Sequence, residues 1–263
     1  MSLQWSTDVA QASWWIARLR PVVGEVAAVV PGGFGAYARV FHPIEDGDAR
    51  RTWADLAATN ERLVHPEMQL HEISRSRGAP RPERYEQDGR VEWGSLPRSE
   101  LEALSRVLGS HTTTPERCWC CVWEGYGRLR GGGASALLTY HDGGVESAPL
   151  VPSNVLDGPR VRAPGRSYFL LHGPLARLGS LFDQLGAQSP NVWWPEDRAW
   201  FVATEVDVAW TYVAGSMAAV EGVLGDPHLE SLPAAPSDRC TYGSDLANAA
   251  LDGPEPTTDD PVA

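Results

Sequence analysis

Short apolar segments of strand length constrain the fold of this 263-residue chain more than any other feature. Rich in aromatic and β-branched residues and bounded by glycine or proline, they predict β-strands. These segments are 24–30, 36–41, 118–126, 136–140, 167–171, 200–206 and 210–214. Apolar residues recur at helical spacing in 9–20, 52–64, 99–109, 175–185 and 216–224. Because the helices do not alternate regularly with the strands, we predict an α+β fold, with a mostly antiparallel or mixed sheet and helices packed on one face.

Turn residues predict several local connections. Pro31-Gly32-Gly33 predicts a hairpin between 24–30 and 36–41, and a tight connection at 207–209 predicts pairing of 200–206 with 210–214. Ser99 and Glu102 have the spacing of a capping box at the start of a helix. The proline- and arginine-rich segment 74–97 predicts a loop or a linker.

Length and composition predict one globular domain over residues 1–250. Hydrophobic residues make up 43% of the chain and charged residues 21%, which is ordinary for a globular protein. Residues 251–263 are acidic and proline-rich, and they predict a disordered tail. No run approaches the ~18 apolar residues of a membrane span, and no secretory signal is visible. We therefore expect a cytoplasmic protein that does not bind a membrane.

The charge is strongly acidic and unevenly distributed. The formal net charge is −12, which argues against sequence-independent binding of nucleic acid. It divides into −1 over residues 1–130 and −11 over residues 131–263. All 22 basic residues are arginine, and the absence of lysine is explained by the codon usage of a GC-rich, actinobacterium-like genome.

Cysteine and histidine give no convincing metal site. The pair Cys118 and Cys121 has C-x-x-C spacing, but on a strand residues three apart point to opposite faces. His65 and His71 are six apart with Pro66 between, unlike the two histidines four apart on one helix that zinc proteases use. We predict no metal and no cofactor, and we expect buried free thiols.

Carboxylates and one thiol leave an enzymatic alternative open. Glu124 and Glu205 lie in aromatic strand segments, where a carboxyl group can act as a general acid. A hydrolase using this pair, or using Cys121 with a histidine, is one hypothesis. The opposing interpretation is that both carboxylates point outward or pair with Arg128 or Arg198.

Tryptophan is the strongest anomaly. The chain has 11 Trp, and seven of them lie between Trp93 and Trp210. Trp193 and Trp194 are adjacent, so at least one of them is expected to line a groove. A tryptophan surface beside acids suits a cation, a sugar or an arginine-rich peptide, whereas filling of the core is the structural alternative.

Two blocks of sequence resemble an uncharacterised family of actinobacterial proteins of similar length. The first runs from His111 through Cys118, Trp119 and Cys121 to Gly127, and reads HTTTPERCWxCxWxGYG. The second begins at Trp193 and reads WWPxDRAWxVATExD. The family has no known activity, so the resemblance implies no mechanism. It does imply that both blocks belong to one domain.

These observations favour a cytoplasmic, non-enzymatic binding protein with an aromatic and acidic groove for a small-molecule, cationic or peptide ligand. The residues expected to form that groove are Glu124, Tyr126, Trp194, Asp197, Arg198 and Glu205. Besides the hydrolase, a third hypothesis is a structural or oligomerising protein whose tryptophans bury an interface. The ligand, the partner and the oligomeric state are left open by the sequence.

Overall fold

A nine-stranded sheet organises the computed structural model, which describes residues 2–20, 22–47, 49–79, 88–131 and 150–253. The strands are β1 (Gln4–Ser6), β2 (Ala36–Phe41), β3 (Ile44–Asp46), β4 (Ala49–Arg51), β5 (Cys118–Trp123), β6 (Val161–Ala163), β7 (Arg166–Gly173), β8 (Val192–Pro195), β9 (Phe201–Ala203), β10 (Trp210–Gly215) and β11 (Ser231–Ala234). The order across the sheet is β1-β7-β5-β8-β9-β10-β2-β11, with β6 also paired to β7. Strands β3 and β4 form a separate hairpin.

Short helices surround this sheet. They are α1 (Ser13–Ile16), α2 (Trp53–Thr59), α3 (Leu70–Ile73), α4 (Arg98–Gly109), α5 (Ser153–Leu156), α6 (Leu181–Gln184), α7 (Met217–Leu224) and α8 (Leu246–Leu251). Single 3₁₀ segments lie at Val9–Ala12, Val26–Ala28, Gly127–Arg130, Leu175–Ser180 and Tyr242–Ser244. Every pairing between the described strands is antiparallel, so the predicted α+β class with a mostly antiparallel sheet is confirmed.

The alternation of side chains along the strands divides the core into two layers. On one face, α4 and α7 pack Leu104 and Val223 against the sheet residues Val202 and Val213. On the other face, the sheet is covered by α1, α2, α3 and connecting segments, which bury residues such as Trp15, Trp53 and Ile73. The two longest helices therefore share one face, as predicted, while shorter elements close the other.

The predicted hairpin between 24–30 and 36–41 is wrong. Segment 36–41 is strand β2, but it pairs with β10 and β11. The earlier segment makes the 3₁₀ turn Val26–Ala28, because the N–H groups of Val26 and Ala27 donate to the carbonyls of Asp238 and Pro236. The apolar β-branched residues of this segment are therefore buried by contacts with a distant part of the chain and not by a hairpin partner.

Helix boundaries differ from the sequence pattern in two places. The N-cap of α4 is Pro97, and no side chain caps it, so the predicted Ser99–Glu102 capping box is not formed. A capping box does form at α2, where the Thr52 hydroxyl accepts from the Asp55 N–H and the Asp55 carboxylate accepts from the Thr52 N–H. That box fixes the start of α2 immediately after the β3–β4 hairpin.

Ordered contacts continue beyond the predicted domain boundary at residue 250. Asp252 receives hydrogen bonds from the buried Arg62 (3.0 Å) and from Arg75 (2.6 Å). These bonds, together with one from the Gly78 N–H, hold the pKa of Asp252 below its usual range although burial opposes them. Residues 254–263, most of the predicted tail, and the predicted strand at 136–140 lie outside the described residues.

Among the residues that the structure describes, no helix combines the length and the apolar character needed to cross a bilayer.

Candidate functional site

The two sequence blocks lie side by side in the centre of the sheet. Strand β5 pairs with β8, and this pairing sets Trp119 opposite Trp194 and Cys120 opposite Trp193. The Trp119 indole donates to Glu196 at 2.8 Å, which ties the end of one block to the turn of the other. The two blocks are therefore joined through neighbouring strands of one sheet.

Trp194 does not line a groove. Its side chain is 1% exposed, and its ring contacts Trp14, Trp15 and Phe201 at centroid distances of 6.2–6.3 Å. Its neighbour Trp193 points to the opposite layer and is fully buried. Adjacent residues on a strand face opposite sides, so both tryptophans enter a core, but two different ones.

Tyr126 belongs to a buried polar network. Its hydroxyl donates to the Gly94 carbonyl (2.9 Å) and accepts from the side-chain amides of Asn191 (3.0 Å) and Gln188 (3.1 Å). Burial raises the pKa of Tyr126 to about 12. These bonds use the hydroxyl internally and fix the segment that follows β5.

Glu124 and Glu205 are held by different arginines. Glu124 accepts from Arg130 (2.9 Å) and Arg160 (3.0 Å). Glu205 accepts from Arg166 at 2.9 Å. Arg166 also contacts Asp207, and its guanidinium lies over the Trp123 ring at 5.5 Å. Neither carboxylate pairs with the predicted Arg128 or Arg198; each is part of its own ion pair.

Asp197 and Arg198 lie in the exposed turn after β8. Asp197 accepts from the hydroxyls of Thr112 (2.9 Å) and Thr113 (2.8 Å) and from the Thr113 N–H. Burial opposes these bonds, but they hold the pKa of Asp197 below its ordinary value. Arg198 has a left-handed φ of 57° and lies 5.4 Å from the Trp14 ring. Both residues secure the turn.

The six predicted groove residues are therefore distributed among two ion pairs, a polar network, a turn and the core. None of the four best-defined cavities among the described residues is lined by any of them. Trp194 and Tyr126 are buried, whereas Glu124, Asp197, Arg198 and Glu205 reach the surface at separate places and are used in the contacts described above.

The structure also disfavours the hypothesis of a hydrolase that uses Cys121 with a histidine. Cys121 is fully buried, and burial raises its pKa well above the ordinary value, which disfavours the reactive thiolate. No hydrogen bond joins Cys121 to a histidine in the described part of the chain. All four cysteines are free, and within the described ranges no cluster of three or more potential ligands is arranged for a metal ion.

His42 is a buried histidine whose pKa is strongly lowered. It is fully buried, with Nδ1 2.7 Å from the Glu92 carbonyl and Nε2 3.0 Å from the Thr211 hydroxyl. Thr211 continues the chain to Thr204 at 2.7 Å. Burial lowers the pKa of His42 to about 4, so the neutral ring donates from Nδ1 and accepts at Nε2.

This shift predicts loss of stability in acid. The unfolded chain takes up a proton near pH 6.5, but folded His42 does so only near about 4. Its contribution is therefore complete above the first value and falls by about 3 kcal/mol as the pH drops through the second. Urea unfolding at about pH 7 and about pH 4 measures the loss. His42→Gln, which keeps one donor and one acceptor, is expected to reduce it; an equal loss in that variant would contradict the assignment.

The principal cleft lies at another end of the sheet. Its volume is about 830 Å³, and it opens between the β3–β4 hairpin, the start of α2, helix α4 and the loop before β11. The apolar lining consists of Phe41, Pro43, Ala54, Ala103, Pro227 and Leu229. The polar lining consists of Arg50, Arg51, Thr52, Ser99, Glu100, Glu102, Arg106, His228 and Glu230.

Two of the three carboxylates in the cleft are already engaged. Glu230 accepts from the N–H groups of Trp53 and Ala54, both at 2.7 Å, and thereby caps α2. Glu100 is buried and paired with Arg50. Arg51 bonds the Thr59 hydroxyl and approaches Asp46 only at 3.8 Å, and Arg106 pairs with Asp226 through a side chain that is 60% exposed.

Sequence reasoning missed these residues. The signal was the turn Asp46-Gly47-Asp48 followed by Arg50 and Arg51, which is a hairpin pattern carrying two arginines to one edge. The helix α4 and the loop at 226–230 are far away in sequence, so nothing local indicated that they complete the cleft.

Comparison of the chain with protein-family models, with curated proteins and with solved structures finds no match.

Proposed function

We propose that this protein is a non-enzymatic binding protein that holds a small molecule in the cleft beside α2. The observation that carries the proposal is the lining of that cleft: an apolar floor of Phe41, Ala103 and Leu229 under a rim of arginines. Large concave sites with an apolar lining and a few polar groups are the usual places for small ligands. A binding protein is also what the sequence analysis favours, but the proposed cleft is not the groove predicted there.

The charges of the rim favour a ligand with an acidic group. Glu100 is paired with Arg50, and the Glu230 oxygens accept from the N–H groups of Trp53 and Ala54, so the oxygens of both carboxylates are occupied within the protein. Among the described carboxylates, Arg51 approaches Asp46 only at 3.8 Å, and Arg106, although paired with Asp226, has a side chain that is 60% exposed. An organic acid with an apolar body would place its acidic group on these guanidinium groups, which suit planar anions, and its body on Phe41.

A dye titration tests the proposal. The probe is 1-anilinonaphthalene-8-sulfonate, which combines an apolar ring system with one anionic group. Ala54→Trp, which fills the cleft from α2, is expected to weaken dye binding about tenfold, equivalent to ~1.4 kcal/mol. Arg51→Ala is expected to weaken it in the same direction because it removes a rim charge.

The control is Ala58→Trp, on the same helix but exposed and outside the cleft lining. It is expected to leave the affinity unchanged. Urea unfolding of each variant separates a lost site from a lost fold. Equal dye affinity in the Ala54→Trp and Ala58→Trp variants, or no dye binding by the wild type, would overturn the proposal.

We also propose that the chain is a cytoplasmic member of the actinobacterial family that the two blocks resemble. The length of the blocks, the absence of lysine and the arginine-rich composition support this source. Fractionation of a native actinobacterial host and probing with an antibody to the chain tests the location, and recovery in the membrane or secreted fraction would contradict it.

A further inference from the structure

Arg39 is a fully buried cation without a counter-ion in contact. It lies on β2 with 0% exposure, and its guanidinium carbon is 3.9 Å from the Trp210 ring centroid, 4.8 Å from that of Phe41 and 5.6 Å from that of Trp53. Within the described part of the chain, Nη1 alone has a hydrogen-bond acceptor, the Pro66 carbonyl at 2.6 Å. We call these aromatic side chains and Arg39 the Arg39 cage.

The nearest acids do not neutralise this charge. Tyr212, Cys240, Asp245 and Glu67 act on Arg39 only through space, and no described carboxylate lies within ion-pair distance of it. Burial raises the pKa of Tyr212 above its ordinary value and the pKa of Cys240 to about 11, so neither group supplies an anion at neutral pH. Glu67 accepts from the Arg239 N–H. Asp245 is used by His65 (2.7 Å) and by the Gln69 N–H (3.0 Å). Their oxygens are therefore committed to fixing the segments around the cage.

The unused donors of Arg39 form one edge of its guanidinium group. Nε and Nη2 are both buried and have no protein hydrogen-bond partner. These two N–H groups point in parallel, and this side edge is the fork that carboxylates accept in bidentate fashion. The Trp210 ring forms one wall of the cage.

We propose that the Nε–Nη2 edge of Arg39 binds a small carboxylate anion, of the size of formate, inside the aromatic cage. A water molecule would satisfy the donors but would leave the cation unpaired, and a desolvated unpaired charge is strongly destabilising. Arginine cannot relieve this by deprotonation. A planar anion with two oxygens matches both the charge and the geometry.

Nε and Nη2 have almost no accessible surface, so a small ion reaches them only when neighbouring side chains move aside. Leu232 pairs with Arg39 from the edge strand β11 and is only partly buried, as are Pro66 and Cys240. Phe41 lines the cleft beside α2 and also contacts Arg39, but the cage is a separate site with its own ligand class. The inference does not depend on the proposed function.

The test titrates sodium formate against sodium chloride at constant ionic strength. The folding equilibrium constant, from urea unfolding, is expected to rise about tenfold for each tenfold increase in formate above its dissociation constant. In parallel, the ¹⁵Nε–¹H signal of Arg39 is expected to shift saturably with formate. Pivalate, a bulky carboxylate, is expected to have no effect because the cage is closed around the guanidinium.

Two variants isolate the role of Arg39. Arg39→Met keeps the approximate volume without the charge, and Arg39→Lys keeps the charge without the planar fork; both are expected to lose the formate response. If either variant fails to fold, the ¹⁵Nε–¹H titration of the wild-type protein still tests whether Arg39 binds formate. An absent response to formate, or an equal response to chloride, would overturn the carboxylate assignment.

Discussion

Trp194→Ala is expected to lower the free energy of unfolding by about 3–5 kcal/mol, the usual range for truncating a buried tryptophan. The side chain is 1% exposed and packs between Trp15 and Phe201 under α1. Its removal forfeits the burial of a large apolar surface and leaves a cavity that the rigid sheet cannot close. Urea unfolding followed by far-UV circular dichroism measures the change without depending on tryptophan fluorescence.

Trp194→Phe and Arg198→Ala are the matched controls. The phenylalanine variant keeps a ring in the layer and is expected to lose less than the alanine variant. Arg198 is four residues further along and exposed, so its truncation is expected to change stability by less than about 1 kcal/mol. A wild-type unfolding midpoint for Trp194→Ala would show that the residue is not part of the core and would restore its predicted role in a groove.

Asn191→Leu is expected to lower the free energy of unfolding by about 2–4 kcal/mol. The Asn191 amide donates to Gly94 and Tyr126, and its carbonyl oxygen accepts from the Trp123 N–H at 2.9 Å. Leucine has a similar volume but leaves several buried polar groups without partners, each at about 1–3 kcal/mol, partly offset by apolar burial. Chemical unfolding at neutral pH measures the difference.

Tyr126→Phe is the comparison for the same network. It removes one hydroxyl while the Gly94 carbonyl keeps the amides of Gln188 and Asn191. We expect a loss of about 1 kcal/mol, smaller than that of Asn191→Leu. If the two variants lost equal stability, Asn191 would not be the centre of the network. A coupling energy from the double variant would then apportion the bonds.

Local composition was sufficient to predict four of the longer strands. Segments 36–41, 118–126, 167–171 and 210–214 became β2, β5, β7 and β10, because aromatic and β-branched residues fit a pleated, buried surface. The short strands β1, β3, β4, β6, β8 and β11 were not predicted. β11 contains Pro233, which sequence rules associate with breaks but which an edge strand tolerates.

Helix lengths were overestimated where contacts with other segments end the helix before its apolar pattern ends. Residues 9–20 form a 3₁₀ turn followed by the four-residue α1, and 52–64 yield the seven-residue α2. Helical spacing of apolar residues indicates which face is buried, but not where the backbone leaves the helix. Asn60 ends α2 by donating to the carbonyls of Leu56 and Ile73, the second of which lies on α3.

The candidate sites could not be predicted from the sequence because their residues come from segments that are far apart along the chain. The cleft combines a hairpin at 44–51 with a helix at 98–109 and a loop at 227–230, and Glu230 reaches α2 across about 176 positions. Arg39 is an ordinary strand residue in the sequence. Its isolation becomes visible only when Trp210, Phe41 and Trp53 are assembled around it.

The sequence by itself determined the α+β class and the central strands, because these follow from the local balance of apolar, turn and β-branched residues. Only the tertiary structure decided which face each tryptophan occupies, which carboxylates are neutralised by arginines and which cation is left without a partner. Burial and charge pairing are properties of groups brought together from distant positions, and strand register, not composition, sets them.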